Sequence, residues 1–192
     1  MENVANLLQL FSEAIQTYVD LLQSANEQVN LYSKKTYDHL PFHIQDSLNL
    51  AEMANHAKII VDMGSGSGFP SVIMAIQNPQ SQVVAIESKG KKRRFLTHVA
   101  QTLGLANMTI FEGDIDTYSK TDFQSPDVIT AKAFLPWPGP LKAAKSLAKP
   151  DAKLIVPISA NQATVLGALN PKPAIDVLEV QGITYYYLRH SF

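Results

Sequence analysis

The sequence predicts an α/β fold in which helices wind both faces of a mostly parallel seven-stranded sheet, with an antiparallel terminal hairpin and a helical N-terminal extension. Three observations predict it. From Lys58 onward, short apolar runs alternate with helical stretches, the signature of strands joined by helical crossovers. A glycine-rich loop, Gly64-Ser65-Gly66-Ser67-Gly68, separates the first such run from the helix after it. Near the end, two strand-like runs are joined by Gln181-Gly182 alone, a connection that permits only an antiparallel pair.

Residues 1–57 form the extension and residues 58–192 the α/β domain. In the extension, Leu7, Leu8, Phe11, Ile15, Tyr18, Val19 and Leu22 recur at helical spacing, so the pattern predicts an amphipathic helix over 3–23 packed on the main domain. A polar segment, Ser24 to Asn30, is expected to follow it. A second helix is expected over 43–54, where His43 and Asp46 stand one turn apart and within reach of each other.

In the main domain, Ile59–Met63 reads as the first strand and Pro70–Gln77 as its helix, with proline near the first turn. Val83–Glu87 is the second strand. Lys91–Leu103 is a helix with Phe95, Leu96, Val99 and Leu103 on one face and Gly104 at its stop. Met108–Phe111, Asp127–Ala131 and Lys153–Pro157 are the next three strands, with a helix near 139–148. Ile175–Val180 and Ile183–Leu188 form the hairpin.

Composition narrows the functional classes. The 192 residues are 46% hydrophobic and 17% charged, a globular balance. The net charge of -1 excludes a wholly basic surface. The acidic excess lies in residues 1–58 and the basic excess in residues 59–192. No apolar run approaches membrane-spanning length and no secretory signal is evident. Cysteine is absent, which suits a reducing cytoplasm and leaves no thiolate for zinc. The five histidines show no metal-ligand spacing, so no metal is expected.

The loop chemistry is more specific. Gly-x-Gly-x-x-Gly fails from Gly64, where the sixth residue is Phe69, and from Gly66, where it is Ser71; a dinucleotide is therefore disfavoured. Glu87 ends the second strand, where a carboxylate accepts both ribose hydroxyls of a nucleoside. The turn Glu112-Gly113-Asp114-Ile115-Asp116 ends the third. Lys132 stands at the end of the fourth, the edge where ligands of such sheets bind. The segment Lys89, Lys91, Lys92, Arg93, Arg94 is a candidate track for phosphates, whereas Lys142, Lys145, Lys149 and Lys153 read as a solvated helix face. Phe134 and Trp137, in a proline-stiffened loop, are candidates to stack on a base.

Asp62-x-Gly-x-Gly-x-Gly and the count of seven strands resemble class I S-adenosylmethionine (SAM)-dependent methyltransferases, which are Rossmann-like. Five further pieces narrow the resemblance: Asn30-Leu31, His43-Ile44-Gln45-Asp46-Ser47-Leu48, Phe69-Pro70, Glu87 to Leu96, and Thr130-Ala131-Lys132-Ala133-Phe134. Together they resemble the glucose-inhibited division protein B family, small-subunit ribosomal RNA guanine-N7 methyltransferases. The resemblance implies rRNA processing in the cytoplasm with SAM as cofactor, and ribosomal RNA or the small ribosomal subunit as partner. It implies cofactor contacts from Asp62, Gly64, Ser65, Gly66, Gly68, Phe69, Glu87, Ser88, Asp114, Ile115, Asp116 and Lys132, with Lys132 also the candidate catalytic residue. Ile115 would cover the adenine and Asp116 accept its amino group.

The chain departs from the family pattern at four places. Lys132 and Asp114 stand where arginine is usual, Phe42 replaces a basic residue, and Pro157-Ile158-Ser159 replaces Leu-Lys-Gly. Three of these remove a cation, and lysine at 132 lacks arginine's planar fork. The resemblance is thus to a divergent member. Two alternatives stay open: a SAM enzyme for another RNA or a small molecule, and a non-catalytic SAM-binding module.

Overall fold

A computed structural model describes residues 11–122, 124–169 and 172–192. The elements in order are α1 (Glu13–Gln28), a short 3-10 helix (Lys34–His39), α2 (Leu40–Met53), β1 (Ile59–Met63), α3 (Ser71–Gln77), β2 (Gln82–Glu87), α4 (Gly90–Thr102) and β3 (Met108–Glu112). There follow α5 (Ile115–Tyr118), β4 (Val128–Thr130), α6 (Gly139–Ala144), β5 (Lys153–Ile158), α7 (Ala160–Gly167), β6 (Ala174–Val180) and β7 (Ile183–Ser191).

The strands lie in the order β3-β2-β1-β4-β5-β7-β6. Pairs β1–β2, β2–β3, β1–β4 and β4–β5 are parallel, and β7 runs antiparallel between β5 and β6. The chain therefore winds outward from β1 to β3, returns to β4 beside β1, and winds the other way. That reversal opens a crevice between β1 and β4 at the carboxyl ends of the strands. Gln181 (φ +52°) and Gly182 (φ +75°) turn the hairpin, since both central residues of such a tight connection need positive φ.

Alternation along the strands assigns the two faces. Ile60, Val83, Ala85, Val128 and Ile155 face one core with Ile15, Tyr18 and Leu22 of α1, Ile44 and Leu50 of α2, Ile73 of α3 and Leu96 of α4. Val61, Met63, Val84, Ile86, Ile129 and Leu154 face the second core with Ile115, Tyr118 and Ala144. The helices preceding β1 thus share a continuous core with the sheet.

Several expectations are corrected. Leu7 and Leu8 lie outside the described residues. The helix at 13 does not stop at 23 but runs through the polar segment to Gln28. Asn26 explains this, because it is buried and works as an internal staple. Its Oδ1 accepts from the Leu31 and Tyr32 N–H groups at 2.7 and 2.9 Å, and its Nδ2 donates to Tyr32 O and the Tyr37 hydroxyl. The second helix begins at Leu40 rather than 43. The helix near 139–148 ends at Ala144 and continues as turns. An unforeseen helix, α7, starts on a capping box in which Ser159 Oγ accepts from Gln162 N–H while the Gln162 side chain accepts from Ser159 N–H.

Candidate active site

The glycine loop is held to β2 by backbone bonds. Gly64 N–H and Ser65 N–H both donate to Ile86 O at 3.0 Å. Glu87, buried at the end of β2, clamps it further: its Oε2 accepts from Gly66 N–H at 2.9 Å and its Oε1 from Lys89 N–H at 2.7 Å. Gly64 and Gly68 adopt φ of +74° and +107°, where a side chain is strained. A Cβ on Gly64 would stand 2.7 Å from Phe134 Cδ2, and one on Gly68 2.6 Å from Val72 Cγ2. Gly66 is different. Its Cβ direction meets only the Lys92 ammonium at 3.6 Å and Gly64 O at 3.7 Å, leaving a cradle open to a ligand.

The extension braces this loop from below. The buried Tyr18 hydroxyl of α1 donates to Ser67 O at 2.9 Å, and its ring packs 5.1 Å from that of Phe69.

Asp62 is 1% exposed, and neither carboxylate oxygen has a hydrogen-bond partner of normal geometry. Burial pushes its pKa up to about 6, against the opposing pull of the nearby Ser65 and Ser71 hydroxyls and of Lys132. Ser65 Oγ donates to Asp62 O. Ser88 is exposed at the start of the basic segment.

At the third strand's end, the turn divides its work. Asp114 caps α5, its Oδ1 accepting from Thr117 N–H at 2.8 Å and from the Thr117 hydroxyl at 2.7 Å, which holds its carboxyl below the usual range. Its evident task is thus a helix cap. Ile115 is buried and Asp116 exposed.

Lys132 is not a lysine reaching into solvent. Its side chain is 14% exposed, and its ammonium pairs with Asp46 Oδ2 at 2.6 Å, sits 3.4 Å from His43 O and lies 5.9 Å from the centre of the Phe69 ring. Asp46 Oδ1 accepts in turn from the Tyr187 hydroxyl at 2.8 Å, and that hydroxyl accepts from Asn49 Nδ2 at 3.1 Å. Asp46 thus finds its partners in Lys132 and Tyr187, not in His43 as the spacing suggested. His43 instead packs among Tyr32, Phe42 and Phe69, with Nδ1 buried and unpartnered. Burial first, and then the Lys132 charge, push its pKa down to about 4, so it is neutral at physiological pH. The Asp46–Tyr187 link spans 141 residues and left no local pattern to find it by.

A cavity of about 380 Å³ opens beside this network at the carboxyl ends of β4 and β5. Its walls include His43, Lys132, Phe134, Trp137 and Tyr185. Phe42 stacks on Tyr185 with ring centres 5.0 Å apart. Phe42 and Ile158, two of the positions lacking a family cation, also line it. The cavity and the glycine loop share two side chains: Phe134 lies against Gly64, and Lys132 lies over Phe69.

The basic segment is divided by the structure. Arg93 is tied into the fold, donating to Glu87 O and Ser88 O and pairing with Glu112, so it is no longer a free cation. Lys89, Lys91 and Lys92 line a second, open groove of about 900 Å³, faced by Lys35 and Tyr32. On the other side, Lys149 keeps a partly exposed side chain but pairs with Asp127 at 2.5 Å. Among the described residues no group of acidic or histidine side chains is placed to hold a metal, and no helix is long and apolar enough to cross a membrane.

The model of one protein family, rRNA small subunit methyltransferase G, matches residues 11–183. The chain belongs to that family. Curated relatives agree with the assignment. The ribosomal RNA small subunit methyltransferase G of Gluconobacter oxydans is 38% identical over 142 residues, covering 72% of this chain and 70% of that protein. Its counterpart in Halorhodospira halophila is 31% identical, over 74% of this chain and 67% of the other. The chain spans about two thirds of the length of such relatives. Among solved structures, an O-methyltransferase from Bacillus cereus in complex with SAH overlays with a TM-score of 0.64 at 14% identity, covering 95% of this chain and 92% of that one. The fold is therefore that of class I SAM-dependent methyltransferases, and SAM is the cofactor of this family member. The residues fit that group: Asp62 carries two buried acceptors without donors, Gly66 leaves a cradle a Cβ would fill, and Glu87 brings a carboxylate to the same loop at the end of β2.

Proposed function

We propose that this methyltransferase acts in the cytoplasm on small-subunit (16S) ribosomal RNA and transfers the methyl group of SAM to guanine N7. One observation carries the reading. The aromatic-lined cavity shares Phe134 and Lys132 with the surroundings of the glycine loop, so an acceptor base and the cofactor meet at the crevice between β1 and β4.

Bound SAM supplies a methyl group on a cationic sulfur. Guanine N7 already presents a lone pair, so its attack needs no base: the N7–carbon bond forms as the sulfur–carbon bond breaks, and the positive charge passes to the purine. The chain's part is then placement. Asp62, Gly64, Ser65, Gly66, Gly68, Phe69, Glu87 and Ser88 would hold the cofactor, and Ile115 and Asp116 would bound its adenine side. Asp114 contributes by capping the helix that carries both. Phe134 and Trp137 offer faces to the base. Lys35, Lys89, Lys91 and Lys92 supply the electrostatic footing for RNA phosphates alongside. Residues 58–192 carry the transferase fold, and the extension over 1–57 braces its loop.

The test is methylation of small ribosomal subunits, and of naked ribosomal RNA, that lack the modification, followed by mapping of modified guanines. The expected product is N7-methylguanine at a defined site. A folded protein that binds SAM in calorimetry yet modifies neither substrate refutes the RNA reading.

A further inference from the structure

We propose that Asp46, locked by Tyr187, is a positioning residue that turns Lys132 from a free cation into an aimed hydrogen-bond donor for the carbonyl oxygen of the target base. This rests on the reading of the cavity as the acceptor site.

Charge and geometry together support it. A lysine at a substrate edge is ordinarily a point charge suited to phosphate. Here the ammonium is buried against Asp46 at 2.6 Å, with the His43 carbonyl at 3.4 Å, which accounts for two of its three N–H groups. The third is left to serve a ligand in the cavity that Lys132 lines. The groups facing the ammonium are Asp46 and the neutral His43 from α2, Asp62 from the end of β1, and Tyr185 and Tyr187 from β7. With both aspartates ionised, this set carries one net negative charge. An incoming phosphate would meet the Asp46 carboxylate beside the only cation in the set, and the repulsion is strong at low dielectric. A neutral base oxygen meets no such penalty.

The acceptor that follows is the O6 of guanine. O6 lies next to N7 on the same purine edge, so a donor fixed on O6 orients N7 toward the methyl group. Adenine presents an amino group there, which would oppose the ammonium donor to donor. The net negative charge also suits a reaction in which one positive charge starts on sulfur and ends on the purine.

Asp46 borders the cavity, but its two carboxylate oxygens are taken by Lys132 and Tyr187, so in this scheme both residues act through the aim of Lys132. Asp46 arrives from α2 and Tyr187 from β7, and Asn49 fixes the phenol in turn. Lysine has four rotatable bonds, and without this pair its donor would have no preferred direction.

The experiment compares ribosomal RNA fragments carrying guanine or 2-aminopurine at the target, since 2-aminopurine keeps N7 and lacks O6. For the unaltered enzyme, losing O6 is expected to lower kcat/KM about 10- to 100-fold. For Asp46→Asn and for Tyr187→Phe, guanine turnover falls while the guanine-to-2-aminopurine ratio collapses to within about threefold of unity, larger in extent for Asp46→Asn. SAM affinity by calorimetry stays within about twofold. The alkaline limb of the pH profile moves to lower pH in Asp46→Asn, because Asp46, more than Asp62, raises the Lys132 pKa against its burial. Adding Lys132→Ala to Asp46→Asn costs nothing further. A ratio unchanged from the unaltered enzyme in either folded variant overturns the proposal; if Asp46→Asn fails to fold, Tyr187→Phe decides. Failure of the unaltered enzyme to methylate any ribosomal RNA overturns the functional reading instead, and this proposal with it.

Discussion

Asp62 joins a cost in stability to a use in binding, and Asp62→Asn separates the two. The carboxyl is 1% exposed, lacks hydrogen-bond partners, and titrates near 6 in place of 3.8. Its folded pKa therefore exceeds its unfolded one. The folded state holds the proton more tightly, so stability falls as pH rises through the window from about 4 to about 6 and stays reduced above it. A shift of about two units corresponds to at most about 3 kcal/mol. An amide carries no charge into the interior but remains a buried polar group without partners, which returns part of that gain. The net expectation is a ligand-free variant about 1–2 kcal/mol more stable at pH 7, or roughly 2–8 °C in Tm for a chain of this size. The difference should vanish below about pH 4, where both side chains are neutral. The same variant should bind SAM about 10- to 100-fold more weakly, having lost an anionic acceptor. Thermal and urea melts at pH 4 to 8, with calorimetry at pH 7, measure both. A variant destabilised equally at every pH, or one stabilised with unaltered SAM affinity, would show that Asp62 does not carry the buried charge argued here.

Three further outcomes are open to measurement. Gly64→Ala places a Cβ 2.7 Å from the Phe134 ring at φ +74° and should weaken SAM binding by about tenfold or more while the protein stays folded; calorimetry and circular dichroism read the two. Tyr18→Phe leaves the Ser67 carbonyl without its donor and should cost about 1–2 kcal/mol in urea melts, with SAM affinity lowered because the loop loses its brace. Replacing Lys35 and Lys91 with glutamine should weaken RNA binding and flatten its salt dependence by about one to two units of slope, leaving SAM affinity unchanged; filter binding across salt concentrations checks it.

The order of strands and helices was legible because strand burial alternates or saturates over short runs, and β1 and β3 stop directly at Gly64 and Gly113. The glycine loop was legible for a related reason: Gly64 and Gly68 answer to backbone angles and close approaches that no other residue meets. The polar interior was not. Asn26 inside a hydrophilic stretch reads as loop until its four hydrogen bonds are seen, and helix α1 was cut short for that reason. Lys132 showed its position but not its partner, since Asp46 lies 86 residues earlier and Tyr187 55 residues later. Arg93 and Lys149 counted as basic surface until Glu112 and Asp127 claimed them. Charge counts register which ions a chain has, whereas pairing depends on which distant segments the sheet brings together.

The joining of Asp46 to Tyr187 also sets a condition on synthesis. A chain emerging from the ribosome completes its glycine loop, Glu87 and the parallel strands long before residue 187 exists. Until β7 slides between β5 and β6, Lys132 has an unanchored carboxylate beside it and the cavity lacks the wall bearing Tyr185. The cavity beside Lys132 is therefore complete only once β7 is in place, whatever the state of the glycine loop.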